Sequence, residues 1–103
     1  MPAVHLDQNS FTRLVQEEKH TAIIDFWAPR CAPCRMLGPV VESVAQEVPP
    51  DVLVGKVDVD QEPGVAQQFG IMAIPTIISF RDGKEYKRVV GLTSKEALLN
   101  LLK

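Results

Sequence analysis

The stretch from Thr21 to Met36, TAIIDFWAPRCAPCRM, contains the chain's only two cysteines. Its first part, Thr21–Trp27, is apolar almost throughout and rich in β-branched residues, which is typical of a strand buried on both faces. A helical pattern begins near Pro33, where a proline is well tolerated because its missing N–H has no helical partner in the first turn. The two cysteines are therefore predicted at the junction between a buried strand and a helix.

The rest of the chain alternates between strand-like and helix-like stretches. The apolar spacing predicts a helix at residues 10–18, a second from Pro33 to Glu47 with Pro39 inside it, and a third that ends at Gly70. An Arg-Asp-Gly sequence at residues 81–83 predicts a hairpin turn. Strands are predicted at residues 3–6, 21–27, 51–59, 75–80 and 84–90, and a final helix is expected to bury Leu98, Leu101 and Leu102.

These elements follow the order β-α-β-α-β-α-β-β-α. Strands joined through a helix pair in parallel, whereas the late hairpin requires an antiparallel pair. We therefore expect an α/β fold with one central mixed sheet and helices on both faces. A chain of 103 residues is long enough for one domain, residues 1–103, and too short for two.

Polar side chains near the predicted helix starts are candidate caps. Asn9 or Ser10 is expected to cap the first helix, and Asp60 the third. Thr93 and Glu96 have capping-box spacing at the start of the final helix.

The composition is that of an ordinary globular protein, with 46% hydrophobic and 23% charged residues. The net charge of −2 argues against nucleic acid as a partner. Residues 1–10 do not resemble a secretory signal, and no run of about 18 apolar residues predicts a membrane span. We expect a cytoplasmic monomer without membrane contact, in a compartment where purely structural disulfides are rare.

The pair Cys31-Ala-Pro-Cys34 has three readings: a structural bridge, half of a metal site, or a redox pair. A bridge across so short a loop restricts the unfolded chain little. A zinc site would need two more ligands, and His5 and His20 lack ligand spacing. Residues three apart on a helix lie about 5–6 Å from each other, within the range of a disulfide. The position at a strand–helix junction favours the redox pair and no metal.

Position also distinguishes the two sulfurs. Cys31 is predicted at the helix N-terminus, where unpaired N–H groups and the helix dipole favour a thiolate. Cys34 lies inside the first turn. Cys31 is therefore the expected nucleophile and Cys34 the resolving thiol, which releases the reduced target from a mixed disulfide.

Two charged residues interrupt apolar strands. Burial should make Asp25 hold its proton more tightly, so it could accept the Cys34 proton, or it could be an inert core residue. Lys56 could pair with Asp25, or it could extend its amine to solvent.

Several stretches together resemble the thioredoxin family over nearly the whole chain: DFWAPRCAPCRMLGP, KVDVDQEPGVAQQFGI, IPTIISFRDGK and VGLTSKEAL. The resemblance implies a thioredoxin fold and a dithiol–disulfide oxidoreductase that reduces other proteins. It also implies re-reduction by a thioredoxin reductase, usually at the expense of NADPH. No tightly bound cofactor is implied.

The resemblance also implies residue roles. It assigns Cys31 and Cys34 to the redox pair, Asp25 to a buried carboxylate behind them, Lys56 to its neighbour, Pro75 to a cis-proline that faces the site, Gly91 with Val90 to the substrate surface, and Trp27 to the tryptophan beneath the motif. A cis bond would direct the backbone of Ile74 towards the cysteines, where a substrate segment could pair with it. The expected apolar contact patch comprises Ile74, Val90, Leu92, Ala32 and Pro33, some of which could instead pack internally. Met36 and Met72 flank the site and could soften the contact surface, although core packing is the default interpretation at their spacing.

The chain departs from the family's usual Trp-Cys-Gly-Pro-Cys at two positions, Arg30 and Ala32. If the Arg30 charge stays near Cys31, it should stabilise the thiolate and raise the redox potential by some tens of millivolts, to a value that is still reducing. The loss of the aromatic side chain also reduces contact area, so either the range of targets or the reductase should differ.

Two other functions compete with a protein-disulfide reductase. A thiol oxidant or isomerase would need a higher potential and usually acts outside the cytoplasm. A binding module would use the surface from Ile74 to Leu92, with its redox chemistry incidental.

Overall fold

The structure, a computed structural model, describes residues 2–103. Its strands are β1 (Val4–His5), β2 (Ala22–Trp27), β3 (Leu53–Asp58), β4 (Thr76–Arg81) and β5 (Lys84–Val90). Its helices are α1 (Gln8–Phe11), which continues as a π-helical segment (Thr12–Glu17), α2 (Ala32–Glu47), α3 (Pro63–Gln68) and α4 (Lys95–Asn100).

The five strands form one mixed sheet in the order β1-β3-β2-β4-β5. Strand β3 runs parallel to both β1 and β2. Strand β4 runs antiparallel to β2 and to its hairpin partner β5. The predicted α/β class is confirmed, with parallel crossovers early in the chain and an antiparallel hairpin late.

Helices cover both faces of this sheet because β2 alternates its buried side chains between two cores. Ile24 and Phe26 belong to the core beneath α1 and α3, which also contains Phe11, Val15, Val57, Val65, Ile78 and Phe80. Ile23 belongs to the core beneath α2 and α4, which also contains Leu37, Val41, Val44, Val54, Ile77, Leu98 and Leu101. Asp25 and Trp27 share the parity of Ile23, so they lie on the α2 side of the sheet.

The first helix begins earlier than the apolar spacing predicts. Asp7, rather than Asn9 or Ser10, is its cap: the Asp7 carboxylate accepts the Ser10 N–H, and Ser10 Oγ accepts the Asp7 N–H. The cause is tertiary, because the Leu6 N–H donates to the Lys56 carbonyl at 2.8 Å and ends the strand pairing there. Asp7 is the next residue free to begin a helix.

The other two predicted caps are also wrong. Ser94 caps α4 by accepting the Ala97 N–H, so Thr93 lies outside the helix. Glu96 falls in the first turn, where a carboxylate suits the positive end of the helix. Helix α3 has Glu62 at its cap position without a side-chain hydrogen bond, and Asp60 is engaged elsewhere. Leu102 is partly rather than fully buried.

Helix α2 spans 16 residues and carries Pro33 in its first turn and Pro39 inside it, as the sequence predicts. The left-handed φ of Gly70, 61°, agrees with its expected role after α3. Among residues 2–103, no helix combines the length and apolar character needed to cross a membrane.

Leu37 and Leu92 offer a matched test of the core beneath α2. Leu37 has no exposed surface, whereas Leu92 is 53% exposed. We expect Leu37→Ala to lower the free energy of unfolding by about 2–5 kcal/mol, because it leaves a cavity. Leu92→Ala should change it by no more than about 0.5 kcal/mol. Urea unfolding measures both values, and equal losses in the two variants would contradict this description of the core.

Candidate active site

The two cysteines lie at the start of α2 and are bonded to each other. Cys31 is the N-cap residue, and its Sγ accepts the backbone N–H of Cys34 at an N–S distance of 3.2 Å. The Cα atoms of the pair are 5.2 Å apart. Cys31 is partly exposed, whereas Cys34 is buried, 1% exposed. An incoming molecule can therefore reach the first sulfur more readily than the second.

A second segment approaches Cys31 from the loop before β4. The Ile74–Pro75 peptide bond is cis, as the resemblance implies. The Ile74 carbonyl oxygen lies 3.7 Å from Cys31 Sγ. The Pro75 carbonyl accepts the N–H of Gly91 at 2.8 Å, which joins this loop to the end of β5. Gly91 has a φ of 94°, a backbone conformation that favours glycine.

Exposed apolar side chains surround this junction. Val90 and Leu92 flank Gly91 and are more than half exposed. Ala32 and Pro33 are exposed beside Cys31, and Ile74 is partly exposed. The default reading of the two methionines as core residues is wrong: Met36 is 64% and Met72 97% exposed. Met36 lies in α2, two residues after Cys34, and Met72 lies in the loop before β4. Their spacing from other apolar residues is the same whether they are buried or exposed, so it could not predict their exposure.

Asp25 is buried on the α2 side of β2, where it is 1% exposed. Neither of its carboxylate oxygens has a hydrogen-bond partner among residues 2–103. Burial raises the pKa of Asp25 to about 7, and the nearby positive charge of Lys56 opposes part of that rise. The side chain can therefore exchange a proton near neutral pH.

Lys56 is partly exposed, and it makes no hydrogen bond to Asp25 among residues 2–103. It is the parallel neighbour of Asp25 in the strand register, yet the Asp25 oxygens remain without a hydrogen bond in the described chain. Its ammonium instead lies over the Trp27 ring, with Nζ 4.3 Å from the ring centroid. The His5 ring is 6.0 Å from the same indole, centroid to centroid. Trp27 thus holds the lysine near Asp25 without a direct ion pair.

The sequence leaves open whether the charge of Arg30 stays near Cys31, and in the structure that charge is paired with Asp60. Its guanidinium donates to both Asp60 oxygens, from Nε at 2.9 Å and from the terminal nitrogen at 3.1 Å. This contact holds the pKa of Asp60 below its usual value. Sequence reasoning missed this role of Asp60. The available signal was the parallel pairing of β2 with β3, which places the residues that follow Trp27 and Asp58 at one edge of the sheet.

The described residues, 2–103, contain no group of three or more His, Cys, Asp or Glu side chains that could hold a metal ion. His20 Nε2 lies 3.2 Å from the Glu18 carboxylate, away from the cysteines in sequence.

A helix-capping cysteine bonded to a buried partner, next to a cis-proline loop, defines the class of thiol–disulfide oxidoreductases. The comparison with protein families agrees: the model described as Thioredoxin matches residues 2–103. The chain belongs to the thioredoxin family.

Individual relatives support the same assignment. The thioredoxin of Chlamydia caviae is 52% identical over 80 residues, which are 78% of this chain and 78% of the relative. Thioredoxin 1 of Synechococcus elongatus is 45% identical over 93 residues, 90% of this chain and 87% of the relative. The solved structure of a mutant thioredoxin from Halobacterium salinarum superposes with a TM-score of 0.88 at 33% identity, covering 98% of this chain and 88% of that one.

Asp25→Asn tests the buried carboxyl because it keeps the shape and removes the charge. Folded Asp25 keeps its proton up to a pH near 7, whereas the group ionises above 3.8 when unfolded. The stability of the wild type should therefore fall as the pH rises from 4 to 7 and be level above that. At about 1.36 kcal/mol for each pH unit, the loss approaches about 4 kcal/mol.

Urea unfolding at a series of pH values should show the advantage of Asp25→Asn growing from pH 4 to 7 and then remaining constant. Asp51→Asn, at an exposed position, is the control and should show no such growth. A difference between Asp25→Asn and wild type that is the same at every pH would contradict the assignment.

Proposed function

We propose that this protein reduces disulfide bonds in other proteins through reversible oxidation of Cys31 and Cys34. The observation that carries the proposal is the unequal exposure of two bonded sulfurs at the start of α2. The accessible sulfur caps a helix and accepts an N–H, which favours its thiolate form when reduced.

The reaction has two thiol–disulfide exchanges. The Cys31 thiolate attacks one sulfur of the target disulfide, and the other target sulfur leaves as a thiolate that takes a proton. Cys34 then loses its proton and attacks Cys31 Sγ, which releases the second target sulfur. Two electrons and two protons pass to the target, and the Cys31–Cys34 disulfide remains.

Asp25 is proposed to accept the proton of Cys34 in the second exchange, directly or through water. A carboxyl with a pKa of about 7 is half ionised near neutral pH, so it can both take up and give back a proton there. Lys56 is proposed to tune this group, since its charge favours the ionised form of Asp25. Trp27 positions Lys56 through the contact with its ring.

Substrate binding is proposed to use the junction around Cys31. The Ile74 carbonyl oxygen, 3.7 Å from Cys31 Sγ, is proposed to accept an N–H from an extended target segment. The proposed contact residues are Trp27, Arg30, Ala32, Pro33, Ile74, Pro75, Val90, Gly91 and Leu92.

The electron donor is proposed to be an NADPH-linked thioredoxin reductase, with no cofactor bound to the protein itself. Family membership supports this partner. The chain is proposed to act as one domain, residues 1–103, and as a monomer. We also propose a cytoplasmic location, because a pair that must be kept reduced suits a reducing compartment.

Cys34→Ser should stop the reaction after the first exchange. The variant is expected to accumulate a mixed disulfide between Cys31 and a target protein, visible on a non-reducing gel and lost on addition of dithiothreitol. Cys31→Ser is the matched control and should trap nothing, since the buried Cys34 cannot reach the target. Equal trapping by both variants would contradict the assigned roles, and unchanged target binding in both would favour a binding module.

A coupled assay tests the whole proposal. With NADPH, a bacterial thioredoxin reductase and insulin as the disulfide substrate, the wild type should support NADPH oxidation, and Cys31→Ser should abolish it. Reduction of insulin by protein that was first reduced with dithiothreitol, but not by NADPH and reductase, would refute only the proposed donor. Oxidation of a reduced test protein in place of reduction would favour a thiol oxidant.

A further inference from the structure

The residue before Cys31 is tied to a different loop by a two-point ion pair. Arg30 donates two hydrogen bonds to the Asp60 carboxylate, and both side chains remain about half exposed or more, at 66% and 48%. The pair joins the segment between β2 and α2 to the segment between β3 and α3. The ion pair therefore lies on the surface beside Cys31 and not in the core.

The position of Asp60 is fixed by its own loop. The Val59 N–H donates to the Trp27 carbonyl at 2.9 Å, which extends the parallel pairing past the end of β3. Asp58 Oδ1 then accepts the Asp60 N–H at 2.9 Å and turns the chain. Arg30 is constrained from the other side, because Arg35 donates to the carbonyl of Pro29 at 2.8 Å. Hydrogen bonds to the neighbouring backbone thus hold the loops that carry Arg30 and Asp60 in place.

We propose that Asp60 is a positioning residue that sets the redox equilibrium of the cysteine pair by holding Arg30. A guanidinium that is free to approach Cys31 would stabilise its thiolate and thereby the reduced form. Bidentate pairing directs that charge to Asp60 and balances it there. The proposal rests on the proposed function in one respect, namely that Cys31 is the cysteine that forms the reactive thiolate.

The equilibrium with glutathione measures this effect without any reductase or target protein. The oxidised protein and two glutathione molecules give the Cys31 and Cys34 thiols and one glutathione disulfide, so two electrons and two protons enter the protein. Stabilising the Cys31 thiolate shifts this equilibrium towards the reduced protein. Failure of the coupled assay would therefore leave this measurement interpretable.

Asp60→Asn keeps the shape of the side chain and removes its charge. It should shift the glutathione equilibrium towards the reduced protein by about threefold, a modest value because the pair is exposed. At 29.6 mV per tenfold change, this corresponds to a rise of about 14 mV in redox potential. Arg30→Gln should shift the equilibrium in the opposite direction, since it removes the positive charge itself. The double variant Arg30→Gln/Asp60→Asn should stay close to Arg30→Gln, because Asp60 acts through Arg30.

The opposed signs of the two single variants separate a charge effect from a structural one, which would displace every variant in the same direction. The absence of a further shift in the double variant separates an effect through Arg30 from a direct effect of the Asp60 charge. The Asp60→Asn shift should also shrink in about 1 M salt, where the screening length falls to about 3 Å. Glu47→Gln is the control for net charge, because it breaks an exposed pair with Lys95 at the far end of α2 and should leave the equilibrium unchanged. An Asp60→Asn shift below about 1.5-fold, or the same shift when Arg30 is already replaced, would overturn the proposal.

Discussion

The central constraint on this molecule is that β2 is paired on both sides, parallel to β3 and antiparallel to β4. Its side chains alternate between two cores, so one strand supplies buried residues to both faces of the sheet. The same alternation places Asp25 and Trp27 beneath α2. The short segment after β2 places Cys31 at the N-cap of that helix, and the chemistry depends on this position.

The sequence predicts those features that depend on local pattern or on a family motif. The apolar run before Trp27, the helix after Cys31 and the hairpin near Gly83 each follow from residues close together in the chain. The sequence also predicts the raised pKa of Asp25, because one acid in a buried strand has few routes to solvent. The predictions that fail concern groups whose partners are distant in sequence.

Two such failures, at Asp7 and Asp60, and one open choice, at Lys56, share one physical cause. Asp7 begins α1 because Leu6 is still bonded to β3, a contact that no local propensity reveals. Asp60 pairs with Arg30 instead of capping α3. Lys56, for which the sequence leaves two alternatives open, lies over the Trp27 ring without a hydrogen bond to Asp25. In each case the contacts available to a polar or charged residue depend on which strands are neighbours and on their register, which local sequence does not reveal. Exposed polar groups differ little in energy between such partners, so sequence spacing alone does not rank them.

Met36 and Met72 are exposed side chains that can change conformation more easily than the backbone around Cys31. An unbranched thioether with three rotatable bonds conforms to surfaces of different shape at little energetic cost. Met36, in the first turns of α2, and Met72, two residues before Ile74, are both free to adjust in this way because they are exposed. On the proposed function, such an arrangement would let target proteins of different shape bind at the Ile74 carbonyl and the Cys31 sulfur. Access to the disulfide of a target would then matter more than the shape of the target protein.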